Sequence, residues 1–224
     1  MAVPVPEPGG GANVATSFGP AITLVNFAAN SVLTVATGAG TDTIHANQAA
    51  NWVFGTVNVD GGDPWAADSI AVRGTANDEQ FTYTGLSENS GTVGLTSGTT
   101  TTYNLVNVSS VDLDAEGAAG DTLNVTNTNA QIQHGFTPGS GTVNTFSAGG
   151  AVLLGVRYSD FETAIVTATT IVVDGTAGDD QITVSSTGIV TVTNTLGFNN
   201  SVDASAATRL VLNTLGGNDR VTIV

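Results

Sequence analysis

The chain of 224 residues contains no cysteine and no lysine. Without cysteine there is no disulfide framework and no thiolate chemistry. Without lysine, positive charge is confined to Arg73, Arg157, Arg209 and Arg220, against fourteen aspartates and five glutamates, and the formal net charge is −15. A nucleic-acid-binding surface must neutralise phosphates with a basic footprint, so no nucleic-acid partner is expected. Aromatic residues are also scarce, at 6%. No apolar run reaches the roughly 18 residues of a transmembrane helix, so no membrane insertion is expected. The stretch after Met1 lacks the basic and apolar regions of a standard signal peptide. An excised fragment, or export by another route, is therefore expected.

What the chain does contain is Val, Ala, Ile and Leu, with Thr, Gly, Asn and Ser filling much of the remainder. β-Branched residues suit a pleated surface, while Gly and Asn suit turns that need positive φ. Stretches with helical periodicity are nearly absent, and the fold class reads as all-β. Residues 1–18, rich in Pro and Gly, read as a linker or flexible arm, and residues 19–224 as one β-repeat domain.

The repeat is clearest between Ile171 and Ile223. Short β-type runs begin near 171, 182, 190, 201, 210 and 221, separated by Gly, Asp and Asn. Each unit reads as an alternating run, a Gly-rich turn with Asp at its exit, and a second alternating run. The same form recurs at Val32–Ile44, Val57–Val72 and Val111–Val125. A longer period lies above it: Ile70–Tyr83 aligns without gaps on Ile171–Val184, at an offset of 101 residues. Gly74-Thr75-Ala76 falls on Gly175-Thr176-Ala177, Asp78 on Asp179, and Gln80 on Gln181. The long copies run over about 70–170 and 171–224, the second incomplete. Strand starts spaced by about ten residues suit the sides of a β-solenoid, a parallel β-helix-like repeat. Tandem β-sandwich domains are the alternative, because about 100 residues is also one sandwich. Parallel pairing between coils, or antiparallel pairing within sandwiches, distinguishes the two.

The turn sequences Leu215-Gly216-Gly217-Asn218-Asp219-Arg220-Val221, Gly175-Thr176-Ala177-Gly178-Asp179-Asp180-Gln181-Ile182 and Gly117-Ala118-Ala119-Gly120-Asp121-Thr122-Leu123 resemble the haemolysin-type (RTX) calcium-binding nonapeptide repeat. Arg157-Tyr158-Ser159-Asp160-Phe161-Glu162-Thr163 is similar to segments of the repeat regions of large secreted bacterial surface proteins. The resemblance implies an extracellular or bacterial cell-surface location, and calcium at Asp179, Asp180, Asp219 and Asp121. In that family, successive nonapeptides clamp one ion between them. Here single copies stand tens of residues apart, so the competing reading is an Asp that caps its own turn without metal.

Enzyme chemistry finds little support. His45 and His134 sit in no metal-ligand motif, and no nucleophile elbow or phosphate loop occurs. His134-Gly135 and Asp179-Asp180 resemble two elements of parallel β-helix galacturonan hydrolases, but the third requires a lysine and the chain has none. A glycan hydrolase or lyase is the minor alternative, and Trp65 beside Pro64 is the best candidate for an exposed sugar-stacking aromatic. The run Thr99–Thr102 suggests an ice-binding ladder, and Thr183, Thr191 and Thr222 alternate with apolar residues, but no T-x-T is expected to repeat in register. The leading expectation is a structural module: surface layer, stalk, adhesin or filament subunit. Its partners would be other copies of itself or flanking repeats, associating through Val221, Ile223 and Val224, with a calcium-dependent adhesion module as the alternative.

Overall fold

The computed structural model describes residues 12–14, 22–24, 27–48, 52–63, 66–117, 120–134, 139–195 and 199–224. Outside them lie the proposed N-terminal arm except Ala12–Val14, together with Pro64 and Trp65, Ala118 and Ala119, and Gly135. Of His134 only the backbone is described. The described residues form strands and turns, with no helix.

Strands β1 (Ala12–Val14) and β2 (Ile22–Leu24) pair antiparallel in a sheet of their own. From there the chain alternates between two larger sheets. It passes through β3 (Ser31–Ala36), β4 (Thr43–Asn47), β5 (Phe54–Asp60) and β6 (Ser69–Arg73), changing sheet at each step. Next come β7 (Gln80–Ser87), β8 (Ser90–Ser97) and β9 (Thr99–Val106), which stay together in one sheet. The crossings resume with β10 (Ser110–Asp114) and β11 (Thr122–Thr126). Then β12 (Asn129–His134), β13 (Gly141–Phe146) and β14 (Val156–Ser159) remain together in the other sheet. Strands β15 (Thr163–Thr167) and β16 (Thr170–Asp174) cross again, and a third same-sheet trio follows in β17 (Asp180–Val184), β18 (Ile189–Asn194) and β19 (Asn199–Asp203). Strands β20 (Arg209–Asn213) and β21 (Arg220–Ile223) complete the order.

The result is an eleven-stranded sheet, ordered β3-β5-β9-β8-β7-β11-β15-β19-β18-β17-β21, and an eight-stranded sheet, ordered β4-β6-β10-β14-β13-β12-β16-β20. Both are mixed and neither closes into a barrel. Pairing is parallel between strands separated by a full circuit, as in β6–β10, β7–β11, β12–β16 and β17–β21. Within these two sheets it is antiparallel only around β8, β13 and β18, the middle strands of the three meanders. The run of six strands β6–β11 and the run β16–β21 follow the same sequence of sheets, which gives the 101-residue offset a structural counterpart.

The two sheets share one core. In β11, Leu123 and Val125 point inward and are fully buried, while Thr122, Asn124 and Thr126 point outward. In β16, Ile171 and Val173 do the same. This period-2 alternation places Val, Ile and Leu from both layers in a single buried cluster. Each such side chain contributes about 1.5–3 kcal/mol on burial. Six of the scarce aromatics lie here: Phe54, Phe81, Tyr83, Tyr103, Tyr158 and Phe161 are all buried. Trp52 is half-buried, its indole N–H donating to Phe54 O (3.0 Å) and Thr101 Oγ1 (2.9 Å).

Parallel strands in each layer, with the layers face to face, put every small-to-large crossing on one border. These crossings are β4–β5, β6–β7, β10–β11, β14–β15, β16–β17 and β20–β21. The acidic turns singled out in the sequence stand mainly on this border.

Candidate functional site: a ladder of carboxylates on one border

The β16–β17 turn shows how one unit is built. Asp180, the first residue of β17, is buried, and its carboxylate reaches back over the turn. Oδ2 accepts from Thr176 N (2.6 Å) and Oδ1 from the Thr176 hydroxyl (2.9 Å). Gly175 makes the space, since a Cβ there would lie 2.7 Å from Asp180 Oδ2. In the first copy, Glu79 does this work. It accepts from Thr75 N (3.0 Å) and from the Thr75 hydroxyl, with Gly74 clearing the space. The Gly-Thr dipeptide is thus a cradle for the acid four residues later.

A second set of bonds ties each turn to the turn one circuit on. Glu79 N donates to Asp121 Oδ1 (2.7 Å), and Asp121 N to Glu162 Oε2 (2.8 Å). Asp180 N donates to Asp219 Oδ1 (3.0 Å), and Asn218 N to Asp179 Oδ1 (2.7 Å). On the opposite border, Asp42 N donates to Asp68 Oδ1 (2.8 Å). Each acid at a strand entrance therefore takes the place of a missing ladder partner for the backbone of its neighbour. In the β20–β21 turn, Gly217 has φ +119°, and a Cβ there would come within 2.5 Å of Gly178 O, so the two turns stack backbone on backbone.

Of the four residues expected at a calcium site, Asp179, Asp180 and Asp219 are brought together across adjacent turns and spend oxygens on backbone N–H groups. Asp121 stands apart, with Glu79 and Glu162 as its neighbours along the border. Among the described residues no group of three or more His, Cys, Asp or Glu side chains is arranged to hold a metal ion. Asp121 is fully enclosed, and its Oδ2 has no hydrogen-bond partner, as is also true of Asp42 Oδ2 and Asp68 Oδ2. Burial pushes the Asp121 carboxyl above its ordinary range. The nearby Glu162, Glu79 and Asp78 push the same way, against the Glu79 amide that favours the charge.

Glu79 and Glu162 are ladder members that the motif reading missed, whereas Asp68 stood in it as the Asp at a turn exit. Glu79 had a signal, since the 101-residue offset aligns it with Asp180 and aligns Thr75 with Thr176. Glu162 had none, because no Gly-rich turn precedes it.

One group of charged side chains lies on the outer face of the eight-stranded sheet. There a shallow cavity of about 410 Å³ is lined by His45, Arg73, Asp112, Asp114 and Arg157, with the small Ala71 at its floor. Arg157 is held by Asp112 through two bonds, Nε at 2.6 Å and Nη2 at 3.1 Å, which raise its pKa further. Arg73 lies 3.3 Å from Glu116 and 3.8 Å from Asp114. Both arginines are neutralised by their neighbours, so the depression is a poor receptor for an acidic glycan.

At the β20 and β21 edge the core rows are exposed. Leu210 and Leu212 of β20 face Ile171 and Val173, and Val221 and Ile223 of β21 face Ile182 and Val184. They continue the buried rows, yet Val221 is 45% exposed, Ile223 80% and Val224 72%. No family model, curated protein or solved structure matches the chain.

Proposed function

We propose that the chain is a structural repeat module, a β-solenoid of extracellular type, that works by stacking end to end on a second copy or on flanking repeats. The observation that carries this reading is the exposed edge at β21, where Val221 and Ile223 continue the row of Ile182 and Val184 and stand 45% and 80% exposed. A sheet edge with unpaired N–H and C=O groups and an apolar row beneath it is a template for further strands. Strand direction supports the pairing. β3 and β4 are edge strands at one end, β20 and β21 at the other, and each runs parallel to its own sheet neighbour. A head-to-tail stack would therefore continue every row in the parallel sense.

Sedimentation velocity over a range of concentrations tests this. The wild type should associate in a concentration-dependent way, and Ile223→Lys should be monomeric with an unchanged melting temperature, because Ile223 is mostly exposed. A wild type that stays monomeric at the highest concentration would overturn the proposal.

A second reading, a calcium-dependent adhesion module, is favoured by one observation: the enclosed, unpartnered Oδ2 of Asp121 beside Glu79 and Glu162. Melting curves in calcium and in chelator separate the two. Coincident curves remove the calcium reading and leave the stacking one in place.

A further inference from the structure

The outer face of the eleven-stranded sheet differs from the rest of this acidic chain. Strand register assembles rows on it that the linear sequence does not display. One row runs Thr34, Asn58, Asn104, Thr92 and Thr84, across β3, β5, β9, β8 and β7. A second runs Thr100, Thr96, Gln80, Thr122 and Thr163, across β9, β8, β7, β11 and β15. Between them runs a third row, Val32, Thr56, Thr102, Gly94, Thr82, Asn124 and Ile165, and Leu86 and Val106 are exposed on the same strands. All are outward residues of strands whose alternate positions are core. Over β3 to β15 the only charged residue in the outward positions of this face is Asp60, at the end of β5. The rest of the formal charge of −15 is carried outside these positions.

Such a surface fits a partner that is uncharged, rich in hydroxyl oxygens and periodic in two directions. Neighbouring strands repeat at about 4.7–4.9 Å, and alternate residues along a strand at about 6.4–6.8 Å. The inter-strand spacing lies near the shorter oxygen repeat of hexagonal ice, while the spacing along a strand falls short of the longer one. Thr is stiff at χ1, so its methyl and hydroxyl hold fixed positions. Side-chain bonds within the face hold others: Asn104 Nδ2 donates to Asn58 Oδ1 (2.9 Å), and the Thr96 and Thr100 hydroxyls lie 2.9 Å apart. An Asn amide has two donors and two lone pairs, so one lateral bond leaves capacity to bind outward. A polysaccharide surface is the weaker match, because the aromatic side chains of the eleven-stranded sheet, Phe54, Phe81, Tyr83 and Tyr103, all point into the core and leave no ring on this face for a sugar to stack on.

We propose that the outer face of the eleven-stranded sheet, centred on Thr92, Asn104 and Thr102, binds the surface of ice through its rows of hydroxyl and amide groups. This face is distinct from the strand edges at the two ends, so ice binding and end-to-end stacking can fail independently. The test is partition of the full chain into a slowly growing ice front, together with the shape of single ice crystals in its solution. The wild type should enter the ice and facet the crystals. Thr92→Lys and Asn104→Lys, which set a strongly hydrated charge in the middle of the face, should each be excluded like an ordinary solute. Gln133→Lys, on the outer face of the eight-stranded sheet, should behave as wild type. Melting curves check that each variant is folded. Exclusion of the wild type from ice overturns the proposal, and so does equal loss in Gln133→Lys and the two face variants. Sedimentation of the wild type with microcrystalline cellulose but not with ice overturns it in favour of a glycan.

Discussion

Asp121 carries an unresolved electrostatic cost at the centre of the ladder. Its Oδ1 accepts from Glu79 N, its Oδ2 is enclosed without a partner, and its carboxyl sits above the ordinary value of 3.8. A raised folded-state pKa means that the folded chain holds this proton more tightly than the unfolded chain does. The associated stability is present at low pH and lost as pH rises through the folded value. Asp121→Asn keeps an acceptor for Glu79 N and removes the charge. The variant is therefore expected to melt above wild type at neutral pH. The gap should narrow as pH falls toward 3.8, because only the wild type gains from protonating this site. Paired thermal melts across that range check it, and a variant less stable than wild type at neutral pH would refute the assignment. Asp180 contrasts with it, since both of its oxygens are taken up by Thr176.

At the scale of strands, the duplicated elements make equal demands on their cores. Ile70 in β6 and Ile171 in β16 occupy matched positions, are fully buried, and each stands between two parallel neighbours. Truncating either to Ala should cost about 2–5 kcal/mol. Chemical denaturation of the two variants should give similar losses, and a loss confined to one would show that the copies are not equivalent. Much at this scale was legible in the sequence. Strand starts expected near 171, 182, 190, 201, 210 and 221 fall on β16 to β21, and the alternation of Val125 with Asn124 correctly assigns inside and outside. The meanders were not legible. Ile189–Asn194 has the same period-2 pattern whether its neighbour runs parallel or antiparallel, because alternation reports which face is buried and not which strand is adjacent. The expectation of parallel coils therefore holds for most pairs and gives way at β8, β13 and β18. The hydroxyl rows were hidden for the same reason, since Thr92 and Asn104 become neighbours only once β8 folds back on β9.

For the whole molecule, the three tyrosines Tyr83, Tyr103 and Tyr158 report on integrity, because all are buried in the shared core. Burial raises each phenol above its ordinary value of 10, that of Tyr103 to about 12 against a hydrogen bond with Gln48. The neutral phenol is what the fold favours, so this contribution is intact below pH 10 and is lost as pH rises through the raised values. Tyrosinate absorbance should stay flat past pH 10 and then rise together with loss of the β-sheet circular dichroism signal. Ionisation of a tyrosine near pH 10 in the folded chain would place that residue outside the core.

The meanders also decide how the molecule would come apart under tension. In a plain coil, each strand is bound to the one laid down a single circuit earlier, and pulling on an end peels off one circuit at a time. Here β7 and β9 are separated in their sheet by β8, so β11 joins β7 while β9 joins β5. The parallel contacts bridge about forty residues, as Glu79–Asp121 and Asp180–Asp219 do, at separations of 42 and 39. Once the last crossing is freed, a whole meander loses its flank, and the chain would lengthen in packets. At about 3.3–3.6 Å per residue, forty residues give roughly 130–145 Å of slack per event. A fibre of such modules would dissipate load in a few long steps.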